Sequence, residues 1–378
     1  MAGYVFAIGK DEDPMSVIRD CAKDGVYSTF LRGLAPTPFE GTLADYLSMR
    51  PGDNVYFFCK RRYYGVGRLV AVGPDCKYCN YPGSTLPRNV GYGKIRKDLL
   101  VDYGEQSASA RWICTFEGDP AFFEEGIDTD EILAYKPDTF KMLRAFWKRS
   151  FIKLGDEENR SLKEIFLLRH QRELETGERI LPTERRVHRA IRAHDLERYH
   201  IEPAELLRSV ADENELKHEM ALEAAVIHAL AKDGLRDLLG HWDYISHQVV
   251  ASPFKPVDYM DKIDVFAARY LPGTEIPCKY LTIELKKDMA GKETIDQVLR
   301  YVDWVCSEYA YGDYAAVEAA IIAYRFSDDI AGYHADVVKR YYTMGSHPVR
   351  NEQWAALRLI RYRYEEGQVR YIDETPTA

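Results

Sequence analysis

The chain has 378 residues, 46% of them hydrophobic, and a formal net charge of −9 at neutral pH. That length exceeds one ordinary core and predicts two domains, while the diffuse negative field argues against indiscriminate nucleic-acid binding and leaves room for a local basic groove. No run of about 18 apolar residues occurs, and "MAGYVFAIGKDEDP" lacks the basic-then-apolar pattern of a secretory signal, so a cytoplasmic protein with no membrane partner is expected.

In chain order, "YVFAIG" reads as a first strand and "PMSVIRDCAKDGVYS" as a helix. "GTLADYLSMRPGDNVYFFCKRRYYGVGRLVAVG" runs helix, Pro-Gly-Asp turn, strand, basic hairpin near "KRRYYG" and strand. The seven cysteines form no even framework, as in a reducing compartment. Cys76 and Cys79 make the only short spacing, and zinc would need a second pair that does not follow, so two free thiols in a turn are the favoured reading. "RWICTFEG" supplies another strand, and helical segments broken at Pro137 and Gly155 carry the first domain to residue 168.

Residues 169–214 are charged and helix-forming, with Pro182 and Pro203 as punctuation, and read as a helical connector with arginine-rich faces. The second domain, 215–378, opens with "ELKHEMALEAAVIHALAKDG", a helix with Leu222, Ala225, Val226, Ala229 and Leu230 on its apolar side. The strands "WDYISHQVVAS", "KIDVFAARYL" and "YLTIELK" follow, then a helix from Glu293 to Tyr309 and the buried strand "AAVEAAIIAYRF". "GYHADVVKRYYTMG" reads as helical, and "LRLIRYRYEEGQVRYI" as a hairpin or a helix–strand pair.

The chemistry concentrates in the second domain. Residues two apart on a strand share a face, so in "TIELK" Ile283 and Leu285 point one way and Glu284 and Lys286 the other. Asp264 in "KIDVFA" occupies a comparable place on the strand expected to be its partner. Carboxylates brought together from adjacent strands repel unless a cation lies between them, and Mg²⁺ accepts such oxygen ligands while keeping several waters. A lysine beside the ion can orient a water and stabilise charge on a phosphate oxygen. On the following helix Ile295, Val298, Leu299, Val302 and Val305 form the apolar stripe, and Gln297 and Tyr301, four apart, are neighbours on another face.

This ordered set of Asp264, Glu284-x-Lys286 and Gln297-x-x-x-Tyr301 resembles the PD-(D/E)xK nuclease superfamily, most closely RecB-like and NucS-like endonuclease domains, over residues 215–325. The resemblance implies a restriction-endonuclease-like mixed sheet flanked by helices. It implies Mg²⁺, or Mn²⁺, held by Asp264, Glu284 and the backbone carbonyl of Leu285, with Lys286 positioning the attacking water. Gln297 and Tyr301 would orient the phosphate. The upstream helix in this group usually adds a glutamate, and Glu223 is favoured over Glu219. His247 would lie near the scissile phosphate or serve the fold, with the structural role favoured. "KID" stands where the family often has Pro-Asp.

The first domain resembles the PUA-like group, including EVE- and YTH-type modules, through "GDNVYFFCKRRYYGVGRLVAVG" and "RWICTF". That implies a small β-barrel with helices that takes a flipped base into an aromatic pocket, with Trp112, Tyr56, Tyr63, Tyr64 and Phe116 as wall residues. The whole is therefore expected to be an α/β protein acting as a metal-dependent DNA endonuclease, targeted by a modified-base reader, as in anti-phage restriction. A structure-specific NucS-like repair nuclease and a catalytically silent nucleic-acid-binding protein stay open as alternatives, as does RNA in place of DNA. A homodimer would suit cutting of both strands.

Overall fold

The computed structural model describes residues 2–9, 13–145, 151–251, 261–345 and 347–376. The fold is mixed α/β, built on two curled mixed sheets in two compact units, Met1–Glu202 and Pro203–Ala378. No helix among the described residues is long and apolar enough to cross a membrane.

In the first unit β1 (Gly3–Ala7) leads to α1 (Pro14–Asp24), β2 (Val26–Phe30) and α2 (Pro36–Ser48). The Asp13 carboxylate accepts from the Met15 N–H, Pro14 opens the first turn, and Gly25 at φ 70° ends the helix. That stop converts the rest of "GVYS" from the expected helix into β2. Next come β3 (Asn54–Cys59), β4 (Arg62–Leu69), β5 (Lys77–Cys79), β6 (Ala110–Asp128), β7 (Phe151–Leu154) and α3 (Asp156–Arg169). The sheet runs β2-β6-β4-β3-β1-β7, with β5 also on β6. Only β1 and β3 are parallel among these pairs.

The 19-residue β6 holds this sheet together. Its first part pairs with β2 and β5, and from Phe116 onward it pairs with β4. Close approach of β4 to β6 requires Gly65: at φ +109°, a Cβ there would stand 2.5 Å from the Ala121 carbonyl oxygen and 2.5 Å from Phe122 Cα. Aromatic rings fill the interior. Phe6 stacks on Tyr27 at 4.3 Å, Phe57 meets Phe122 at 5.0 Å, and Tyr46 touches both Trp112 and Phe151.

The stretch expected as a connector, 169–214, is divided between the units. Ile191 and Tyr199 enter a core cluster with Val26, Val72, Tyr78 and Ile113, and His188 Nε2 faces the Gly25 carbonyl at 2.9 Å. Arg179, Arg185, Arg186 and Arg198 pair with Glu125, Glu117, Asp24 and Asp98. Leu206, Leu207 and Val210 are buried in the second unit. A sequence rich in arginine reads as solvated, yet widely spaced apolar residues are enough to fold it onto a core.

The second unit starts with a short ladder of β8 (Ala211–Asp212) and β9 (Glu215–Leu216), then α4 (Glu219–Ala231). Its sheet contains β10 (Tyr244–Val250), β11 (Lys262–Tyr270), β12 (Pro277–Ala290), β13 (Val317–Phe326), β16 (Leu357–Glu365) and β17 (Gln368–Asp373), in that order. Between β12 and β13 runs α5 (Lys292–Glu308), whose predicted stripe of Ile295, Val298, Leu299, Val302 and Val305 is buried. The segment expected as one helix from Gly332 is a helix, α6 (Ile330–Val337), followed by β14 (Arg340–Met344), which pairs with β15 (Arg350–Trp354). Of the two readings of the C-terminus, the hairpin is the one formed, as β16–β17.

Gly65→Ala should weaken the first unit by about 2–4 kcal/mol, because it combines a left-handed backbone with overpacking. Hydrogen exchange would show faster exchange throughout β4 and β6, with β12 amides unchanged.

Candidate active site

The site is built where β11 and β12 separate. Their antiparallel register runs from Ala268↔Tyr280 to Val265↔Ile283, and the next step sets Asp264 opposite Glu284. There the Leu285 N–H donates to Asp264 Oδ2 at 2.8 Å. A side chain has taken the place of a ladder partner. On the other side β12 continues regularly along β13, with Glu284 beside Ile321 and Lys286 beside Ala323. Ile283 and Leu285 are fully buried, so the strand is anchored in the core as its alternation predicts.

Glu284 is only 2% exposed, and Lys286 Nζ donates to its Oε1 at 2.6 Å. Glu284 also makes a side-chain hydrogen bond with the Asp264 carboxyl group. Burial raises the pKa values of both Asp264 and Glu284 above the usual carboxylate range. The neighbouring Glu284 charge raises Asp264 further, and its bond from the Leu285 N–H pulls the other way. Lys286 counteracts the rise at Glu284. Burial works against the Lys286 ammonium, but Glu284 outweighs it and holds the lysine above its ordinary pKa.

From α5, Gln297 Nε2 donates to the Tyr301 hydroxyl at 2.7 Å, as the four-residue spacing predicts. Tyr301 is 3% exposed, and its phenol is pushed up by burial and then by the field of Glu284. From α4 both glutamates bear on the site. Glu219 is exposed and adds negative field at Asp264 and Glu284. Glu223 is buried and engaged at both oxygens, by His247 Nδ1 at 2.6 Å and Gln248 Nε2 at 2.7 Å. His247, itself buried, is thus turned to Glu223.

Gln248 was not legible as a site residue. It stands in β10 at φ +53°, a left-handed conformation in mid-strand, and its amide nitrogen also reaches Asp264 Oδ1 at 3.2 Å. The sequence signal was a broken alternation, three polar residues in succession in "SHQVV".

Asp264, Glu284, Lys286, Gln297, Tyr301 and Glu223 therefore converge. In chemical type they suit a hard divalent cation: two adjacent carboxyl groups whose charges repel when both are ionised, and the Leu285 backbone beside them. Among the described residues, however, no group of three or more His, Cys, Asp or Glu is arranged to hold a metal ion. The oxygens are turned toward Lys286, Gln248, His247 and the Leu285 N–H.

The five aromatic wall residues of the first unit are not brought together. Tyr56 donates to Asn159 Oδ1 at 2.7 Å and stacks on Phe166 of α3. Tyr63 packs on Phe58, and Tyr64 is buried. Phe116 lies with Phe57 and Phe122, and Trp112 edges against Phe39 and Tyr46. Consecutive strand residues such as Tyr56 and Phe57 face opposite sides, which separates these rings between two packing layers. Cys76, just before β5, and Cys79, its last residue, are buried and form no disulfide, with Cys79 Sγ 3.5 Å from Thr85 Oγ1. Burial pushes the Cys76 thiol up.

Compared with known proteins, the sequence matches no family model and no curated protein.

The raised carboxyl pKa of Asp264 has a sign that can be checked. The folded state holds its proton more tightly than the unfolded chain, so this group costs stability as pH rises through the interval between the ordinary and the raised pKa. Asp264→Asn should raise Tm in EDTA at neutral pH, and the gain should disappear on acidification below the ordinary carboxylate range. Thermal unfolding at several pH values measures it.

Proposed function

We propose that the second unit hydrolyses DNA phosphodiester bonds as a Mg²⁺- or Mn²⁺-dependent endonuclease of the PD-(D/E)xK type. One observation carries this reading: two carboxyl groups, the buried Glu284 and the half-buried Asp264, are brought into hydrogen-bond contact beside the Lys286 ammonium. An ion pair kept only for the fold explains Glu284 and Lys286 but gives no reason to set a second carboxyl group against them.

Asp264, Glu284 and the Leu285 carbonyl would hold the cation, which when bound lowers the pKa of water and offsets negative charge on the phosphate. Lys286 stays protonated at neutral pH because of Glu284, so Nζ acts as a hydrogen-bond donor that orients water or a phosphate oxygen. The Tyr301 hydroxyl accepts from Gln297, which leaves its own proton to donate toward phosphate. Glu223 serves this centre through His247 and Gln248.

Targeting by the first unit, in the manner of a PUA-like module, belongs to the same proposal. It would use a surface other than the five buried aromatic residues. Much of the arginine charge at 179–198 is matched by acidic partners, so this segment is a weaker phosphate-binding candidate than its composition suggests.

The test is cleavage by the full chain with Mg²⁺ of plasmid DNA, DNA with modified cytosines, flapped DNA and single-stranded RNA. Cleavage of DNA is expected, with EDTA abolishing it and Lys286→Ala slowing it at least about a hundredfold. Preference for modified DNA would favour restriction, and preference for flaps a repair role. Absence of cleavage on every substrate, or unchanged cleavage by the lysine variant, would overturn the reading.

A further inference from the structure

Gln248 stands between two acids of the centre, Glu223 and Asp264. Its β10 neighbours pair regularly with β11, His247 with Val265 and Val249 with Ile263, whereas Gln248 itself takes φ +53° and forms no ladder pair with Asp264. A non-glycine residue in that conformation persists in a strand only when its surroundings over-determine it, and such residues concentrate at functional sites. What holds this one is its side chain. The amide nitrogen lies 2.7 Å from Glu223 Oε2 and 3.2 Å from Asp264 Oδ1. Both partners are carboxylate oxygens, so the two amide hydrogens serve one each.

We propose that Gln248 is a positioning residue for Asp264: its amide, turned inward by the left-handed backbone, ties the Asp264 carboxylate to Glu223 and fixes its orientation toward the cation. The inference rests on the cation-dependent reading of this site and adds to it. Asp264 is then held at both oxygens, Oδ2 by the Leu285 N–H and Oδ1 by Gln248. Glu223, committed to His247 and Gln248, becomes the anchor of the clamp. A neutral amide suits this place, because it bridges two like charges without adding a third. Partners of this kind behind a metal ligand typically matter tenfold to a hundredfold in metal affinity or activity.

The discriminating variant is Gln248→Gly, which removes the amide while relieving the backbone. In metal-free buffer its Tm should equal or exceed that of the wild type. Mn²⁺ affinity, measured by calorimetry on the full chain, should fall about tenfold or more, and kcat on DNA should fall with KM little changed. Gln248→Asn provides a second variant: it accepts the left-handed backbone and keeps an amide, but is one methylene too short for the bridge, so the same loss is expected. Mn²⁺ affinity within twofold of wild type in a folded variant would overturn the inference, as would absence of Mn²⁺ binding by the wild type. A wild type that binds Mn²⁺ but cuts nothing, with weaker binding in the variants, would support the clamp and defeat the nuclease reading.

Discussion

Repulsion between the buried carboxyl group of Glu284 and the half-buried one of Asp264 is the constraint around which the second unit is arranged. Asp264 and Glu284 lose hydration where β11 and β12 part, and like charges so placed are unfavourable unless local groups compensate. The compensations come from different elements: the Leu285 N–H and Lys286 from β12, Gln248 from β10, and behind it Glu223 from α4. The ladder between β11 and β12 ends there because its next donor is needed elsewhere. The core beneath this region is apolar, with Ile263, Val265, Ile283 and Leu285 all buried, so the strain is held on a rigid floor.

The first unit solves a different problem, the closing of a curled sheet around large rings. Its interior consists of aromatic side chains in edge-on and stacked contacts, which contribute beyond simple area burial. Several polar groups in that interior are bonded, as Tyr56 is to Asn159 and Tyr46 to the Trp112 carbonyl, while the buried Trp112 Nε1 has no hydrogen-bond partner. Rings committed in this way are structural.

Legibility in the sequence followed the strength of the local pattern. The strand through Glu284 and the helix through Tyr301 were readable because period two and period 3.6 each applied over a full element. Asp264 was readable because it interrupts an otherwise apolar strand. Gln248 was not, since its role depends on a backbone conformation that no periodicity encodes. Glu223 was found, but its two partners lie 24 and 25 residues away, and only the fold revealed that both its oxygens are engaged. The aromatic residues of the first unit misled for a simple reason: a ring that fills a core and a ring that lines a cleft occupy the same strand positions in a sequence. The arginine-rich stretch misled similarly, because its acidic partners are contributed from distant positions such as Asp24 and Glu117.

The length of β6 has a consequence for how the first unit can be divided. A single uninterrupted strand is shared between the pairing with β2 and β5 and the pairing with β4. The changeover lies at Thr115 and Phe116, so opening the middle of β6 disturbs both groups at once and couples the melting of the two parts of the sheet. A chain cut at that point leaves β4 without its long partner while β2 and β5 keep theirs.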